Sequence, residues 1–310
     1  MRTQFAFSAI AALLFTAGPA ALAYDSGSYD AGGYSSIGYS SGNCDSGGDS
    51  SRWRTLQVVG LTSDQRLVCF NEFSPGDARS IGFVSGLFTD TLLIGIDFRV
   101  QDRKLYGVGN AGGVYLIDTS NGAATLVNRL SVALNGTSFG VDFNPAADRL
   151  RIVSNTGQNL RHNVNAGGVT LTDAPLNYAP GAPVNSIGPT AMGVVGVAYT
   201  NNDLDGLSAT TLYALDSNLD QIALQSPPNN GSLAATGKLT VDTGAAAGFD
   251  IYSIVRNGVT VDVQALATLS APDGSTALYS VKLPTGKATS RGSFSNALKV
   301  IDIAIPLNQL

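Results

Sequence analysis

The chain is poor in charge. Aspartate, glutamate, lysine and arginine make up 13% of its 310 residues, about half the ~25% usual in soluble domains. Lysine and arginine form no cluster, the net charge is −5 and the pI is near 4.7. A protein that grips phosphate backbones needs a basic footprint. No nucleic-acid partner is therefore expected, and attraction to anionic membranes is disfavoured too. Histidine occurs once and cysteine twice, too few for an ordinary structural zinc site. No stretch beyond residue 23 shows a sustained helical period with caps. Beyond that point no apolar run reaches the length that spans a bilayer, so no membrane insertion is expected once that segment is removed.

What is present begins with an export signal. Arg2 supplies a positive start, Phe5 to Ala17 is apolar, and Ala21-Leu22-Ala23 is an A-x-A cleavage site. Residues 1–23 therefore read as a secretory signal peptide, with Tyr24 opening a secreted chain, periplasmic or extracellular. No cysteine follows the cleavage site, which excludes a lipoprotein anchor. Residues 24–51 turn abruptly to Gly, Ser, Tyr and Asp, with Tyr24, Tyr29, Tyr34 and Tyr39 five apart and Cys44 in the next slot. Such a segment has too little apolar mass to offset chain entropy, so a disordered tail is expected. It serves as a spacer or as an adhesive segment. In an oxidising compartment Cys44 and Cys69 are candidates for a disulfide, the alternative being two unpaired thiols.

Residues 52–310 are expected to form one domain, and internal repetition is their informative feature. A short strand with glycine second recurs as Ile94-Gly95-Ile96-Asp97-Phe98, Phe139-Gly140-Val141-Asp142-Phe143, Val195-Gly196-Val197-Ala198-Tyr199 and Ala247-Gly248-Phe249-Asp250-Ile251. Lys299-Val300-Ile301-Asp302-Ile303 reads as a fifth, weaker copy. The copies start 45, 56, 52 and 52 residues apart, the size of one four-stranded propeller blade. Later strands repeat as well: Val114-Tyr115-Leu116-Ile117-Asp118 matches Leu212-Tyr213-Ala214-Leu215-Asp216 and Leu278-Tyr279-Ser280-Val281-Lys282. Asn121-Gly122 and Thr285-Gly286 are hairpin signals.

The fold class is thus all-β, a β-propeller of five four-stranded blades. Strands near Thr55–Leu87 have no Gly-Asp strand before them, and the last strand, Val300–Ile305, has no blade after it. Joining the two closes the ring and pairs open edges. Six blades is the alternative, if the long connection Leu171–Met192 hides further strands.

These residues resemble an exported bacterial family known as domain of unknown function 4394, over roughly Thr55 to Pro306. The most specific stretch runs from Phe139-Gly140-Val141-Asp142-Phe143-Asn144-Pro145 through Asp148-Arg149-Leu150-Arg151, followed by Gly157-Gln158-Asn159-Leu160-Arg161. The resemblance implies a propeller-like fold and supplies no activity. It also implies an aliphatic residue where His162 stands, which argues against a catalytic histidine.

Chemistry is sparse. A Ser-His-acid system needs a positioned base, and His162 has no nucleophile-elbow sequence for company. It reads as an exposed histidine near a turn. Asp97, Asp142, Asp250 and Asp302 share one repeat position, with Ala198 in the third copy. They would ring the propeller axis, either locking blades together by accepting hydrogen bonds or holding calcium through hard oxygen ligands. Asn201-Asn202-Asp203-Leu204-Asp205-Gly206 is similar to the first half of a calcium loop, though Asn stands at its first position and Leu212 at its twelfth. Asn201, Asp203 and Asp205 are its candidate ligands, against an ordinary polar loop. No cofactor besides such calcium is expected. Asn144, Asp148, Arg149, Arg151, Asn155, Asn159 and Arg161 form the densest polar run. Arg151 and Arg161 could present forked donors to a ligand, or pair with Asp142 and Asp148 inside the blade. The expectation is a non-enzymatic binding or scaffold module for an extracytoplasmic protein or carbohydrate. The alternative is a calcium-dependent hydrolase or lactonase.

Overall fold

Strands buried on both faces should read as near-continuous apolar runs, and strands with one wet face should alternate. Both patterns occur, and they order the molecule from inside to outside. The computed structural model describes residues 55–178 and 188–310, all within one unit, Ser40–Leu310. The signal segment 1–23, the Tyr/Gly segment 24–51, Cys44 and part of the Leu171–Met192 connection lie outside the described residues.

The strands run in chain order as β1 (Gln57–Thr62), β2 (Arg66–Asn71), β3 (Ser74–Phe83), β4 (Leu93–Phe98), β5 (Leu105–Gly109), β6 (Gly113–Ile117) and β7 (Ala124–Arg129). There follow β8 (Phe139–Asn144), β9 (Arg149–Ser154), β10 (Asn159–His162), β11 (Thr170–Thr172), β12 (Asn177–Tyr178), β13 (Val194–Tyr199), β14 (Leu212–Asp216), β15 (Gln221–Gln225) and β16 (Ser232–Lys238). The last are β17 (Gly248–Arg256), β18 (Val259–Ser270), β19 (Thr276–Val281), β20 (Ala288–Ser293) and β21 (Val300–Ala304). A single 3-10 turn at Pro228–Asn230 is the one helical element among the described residues.

Five antiparallel sheets result. Blade one is β21-β1-β2-β3, blade two β4 to β7, blade three β8 to β11, blade four β13 to β16 and blade five β17 to β20. The chain's last strand supplies the innermost strand of its first blade, β21 pairing antiparallel with β1. The inner strands β21, β4, β8, β13 and β17 touch in a closed circle, so the fold is a five-bladed β-propeller. The Leu171–Met192 connection does not make a sixth blade. Its strand β12 instead runs parallel to β16 and covers the outer edge of blade four.

Inner strands such as β13 are buried throughout, whereas the outer strand β20 is mostly accessible. Between blades the core is apolar: Val59, Leu61 and Leu67 of blade one meet Ile96, Leu105 and Ile117 of blade two. Full burial of each such side chain contributes about 1.5–3 kcal/mol. Where the inner strands meet, the glycine positions leave no room for a side chain. A Cβ on Gly140 would stand 2.7 Å from the Val197 nitrogen, and one on Gly248 would stand 2.5 Å from the Asp302 Cα. Glycine at the second position of the repeat is therefore a packing requirement.

That last contact corrects the fifth repeat. Gly95 and Ile96 pair with Val108 and Gly107, while Asp302 and Ile303 pair with Leu61 and Gly60. A Cβ on Gly107 would meet Leu93, and one on Gly60 would meet Val300. Asp302 thus holds the glycine's place in the fifth copy, and Ala304 the aspartate's. The sequence match was displaced by two residues because Ile301-Asp302-Ile303 repeats the local apolar-acid-apolar pattern.

Candidate functional site

The four axial aspartates clasp neighbouring blades. Backbone N–H groups of the next inner strand donate to them: Phe143 to Asp97 Oδ2 (2.7 Å), Tyr199 to Asp142 Oδ1 (3.0 Å), Ile305 to Asp250 Oδ2 (2.6 Å) and Ile96 to Asp302 Oδ2 (2.8 Å). Asp97 and Asp250 also accept from the residue after them, Phe98 and Ile251, through their Oδ1 atoms. Four of the five blade junctions are closed this way. At the junction of blades four and five, where Ala198 stands, Asn202 replaces the carboxylate. Its Nδ2 donates to the Ile251 carbonyl (3.0 Å) and its N–H to Ser253 Oγ (2.9 Å).

Asp97, Asp142 and Asp250 each place one carboxylate oxygen within 4.8 Å of the others, all three buried. Asp302, one residue pair lower on its strand, stands outside that trio. Burial pushes the carboxyls of Asp97, Asp142 and Asp302 well above the usual range, and the neighbouring aspartates push the same way. Burial pushes Asp250 up to about 6. Such a trio can share protons or hold a hard cation. Both oxygens of Asp97 and Asp250 already accept N–H bonds, so the donor set suits the clasp more directly than a metal.

The calcium-like loop is similarly committed. Asp203 Oδ2 accepts from Thr260 N (2.9 Å), Thr260 Oγ1 (2.6 Å) and Ser208 Oγ (3.2 Å), and its Oδ1 accepts from Asp205 N (3.0 Å). Asn201 donates to the Ala209 carbonyl, and Asp205 Oδ1 caps Leu207 N. Asp203 ties this loop of blade four to the long β17–β18 hairpin of blade five.

The dense polar run separates into two networks. Arg151, 1% exposed, donates to Asn159 Oδ1 (2.7 Å), Asp173 Oδ2 (2.6 Å), Asn229 Oδ1 (2.8 Å) and Tyr199 OH (3.3 Å). Arg161 grips Asp173 with two bonds, 2.7 and 2.8 Å. The partner of both arginines is therefore Asp173, not Asp142 or Asp148. Asp142 faces the axis, and Asp148 is held by Arg99 at 2.5 and 2.7 Å. Arg149 donates to the carbonyls of Ala147 and Asp148, and Asn144 accepts from Ala147 N in the β8–β9 turn. Asn155 accepts from Thr137 and Ser138 in the turn before β8.

His162 is not exposed. It is fully buried, with Nδ1 at 3.0 Å from Thr170 Oγ1 and Nε2 at 2.9 Å from Asn128 Oδ1. Burial, helped by the charge of Arg149, lowers its pKa to about 4. It is a neutral strut between blades two and three. Cys69 lies buried in β2 and is not a free thiol. Its candidate partner Cys44 lies outside the described residues.

Among the described residues two cavities bear on a binding site. One of about 560 Å³ opens beside Cys69 on blade one, bordered by Asn71, Ser74, Asp77 and Arg79. The other, about 150 Å³, sits at the channel mouth where the inner strands end, and sequence reading missed it entirely. Val100, Leu204, Val255 and Leu307 give it apolar walls, with Arg103, Asn202, Asp203, Gly258 and Asn308 around them. These residues come from connections of four blades. Arg103 and Asn308 adopt left-handed backbone, φ 59° and 61°, which is uncommon for arginine. Leu204 on the rim is 63% exposed, and Leu207 (94%) in the same loop and Val261 (61%) in the β17–β18 hairpin are exposed too.

Fold and geometry together define an all-β propeller closed by its own termini, with an acidic clasp on its axis and an open pocket at its mouth. The chain belongs to the family of domain of unknown function DUF4394, whose profile matches residues 66–304. No curated protein matches it. Solved structures resemble it at low identity. A structural-genomics protein of unknown function from Bacteroides thetaiotaomicron is 14% identical (TM-score 0.40), covering 84% of this chain and 69% of its own. A candidate 6-phosphogluconolactonase from Bacteroides fragilis is 13% identical (TM-score 0.38), covering 79% and 83%. An auxiliary nutrient binding protein from Bacteroides ovatus is 12% identical (TM-score 0.37), covering 58%. The present chain spans 46% of the length of that nutrient-binding protein. Likenesses this distant carry no functional argument.

Proposed function

We propose that this chain is an exported, non-enzymatic binding module that takes its ligand, a protein or a carbohydrate outside the cytoplasm, at the mouth of the propeller channel. The observation that carries the reading is the mouth pocket. It gathers apolar walls and polar groups from four blades, the arrangement expected of a pre-formed site. The candidate binding residues of the polar run are instead committed to the fold: His162 is a buried strut, Arg151 is held by Asn159, Asp173 and Asn229, and Arg161 pairs with Asp173. The export signal of residues 1–23 supports an extracytoplasmic setting. Among the described residues no helix is long and apolar enough to cross a membrane. The test is a Val255→Trp variant, which fills the pocket. Binding of oligosaccharide and peptide panels by the wild type should disappear in the variant. Binding that survives the substitution would move the site elsewhere.

A second reading, a calcium-dependent hydrolase, rests on the 4.8 Å grouping of Asp97, Asp142 and Asp250. It requires a stoichiometric divalent ion in the purified protein and loss of hydrolysis in Asp142→Asn. An ion-free protein contradicts it.

A further inference from the structure

We infer that the mouth pocket recognises a carboxylate carried on a short apolar stem, with Arg103 as its counter-charge. The inference deepens the binding reading and rests on the mouth being the binding face.

Arg103 lines the pocket and forms no side-chain hydrogen bond or ion pair with any described residue. That sets it apart from the neighbouring Arg99, which is held by Asp102 and Asp148. The Asn308 side chain, also on the rim, is equally without a partner among the described residues. A guanidinium and an amide N–H₂ are both donors, and donors lining one pocket from two connections suit the oxygens of a carboxylate. The acid among the lining residues is Asp203, and it does not answer Arg103. Its oxygens are taken by Thr260, Ser208 and Asp205. Burial opposes its ionisation, yet those bonds hold its pKa below the ordinary value, so its charge is held by neutral donors and not by Arg103.

The walls supply the second half of the recognition. Val100, Val255, Leu204 and Leu307 accept a hydrocarbon stem, and about 150 Å³ is room for a small one. A protein cavity of about 150 Å³ is large enough to hold benzene, a six-carbon molecule. That suits a butanoyl or pentanoyl chain, or one aliphatic residue at a peptide's C-terminus.

The experiment titrates the exported protein with pentanoate and pentanamide, and with a Gly-Gly-Leu peptide as free acid and as C-terminal amide. The acids should bind at least tenfold more tightly than their amides. Arg103→Gln should erase that difference by weakening the acids, while Val255→Trp should remove binding of acids and amides alike. The tighter of the two acids then tells whether a free acid or a chain terminus is the natural source. Acid and amide binding equally, with both lost in Val255→Trp, would overturn the carboxylate assignment and leave the mouth site standing. Binding of neither probe by the wild type, or binding that survives Val255→Trp, would overturn the carboxylate assignment and count against the mouth site as well.

Discussion

The junctions between blades are solved in two chemistries. Four use a buried carboxylate near the axis that accepts an N–H from the next inner strand. The fifth, between blades four and five, uses Asn202 further out, beside the mouth. The carboxylate junctions are titratable and buried; the amide junction is not titratable and only part-buried. The difference teaches where this propeller is rigid and where it is open. The seam without an axial acid is also the seam whose loop, 200–211, lines the pocket and carries the exposed leucines Leu204 and Leu207.

Removing an acid clasp should have the largest effect. Asp97→Ala leaves the buried N–H of Phe143 without its acceptor and opens a gap on the axis. A loss of about 2–4 kcal/mol is expected. For a domain this size that lowers the melting temperature by roughly 4–16 °C, measurable by calorimetry. Asn202→Ala, at the amide seam, should cost only about 1 kcal/mol, because the bond it removes lies at a partly accessible rim. If the two variants melt alike, the distinction between seams fails.

Acidity sharpens the same contrast. A carboxyl whose folded pKa is raised binds more protons folded than unfolded. Its stabilising contribution is complete below the unfolded value and fades as pH rises through the folded one. For Asp250, with a folded value of about 6, the loss falls between about pH 4 and 6 and is on the order of 3 kcal/mol. Asp97, Asp142 and Asp302 extend it upward. His162 works oppositely, since its pKa is lowered to about 4. Its contribution is present above about 6.5 and lost as pH falls towards 4. Asp250→Asn should flatten the acid-side slope, read as melting temperature against pH.

Much of the fold was legible because a propeller repeats its own constraints. Gly140 and Gly248 must be glycine where inner strands meet, and that need is visible as a fixed spacing. Closure by β21 was legible from two incomplete ends. The fifth copy was misaligned by two residues, since only pairing with Gly60 of β1 fixes its register, and pairing across the whole chain leaves no local mark. The sites were harder. Asp173, which pairs with both Arg151 and Arg161, lies outside the repeats. His162 looked exposed because polar neighbours flank it, yet strand β10 turns it towards Asn128 of another blade. The mouth pocket joins Arg103, Asn202, Val255 and Asn308, residues brought together by ring closure and by no motif.

The most direct test of the acid clasp is the melting temperature of the protein and of Asp250→Asn at about pH 4 and about pH 6, each in calcium and in EDTA. His162 titrates alike in both proteins, so the difference between them isolates Asp250. Proton-sharing clasps require the protein to lose stability relative to Asp250→Asn as pH rises, and to do so equally in calcium and in EDTA. Melting that holds steady with pH in calcium but collapses in EDTA would mean that the aspartates hold a cation, and would contradict the account.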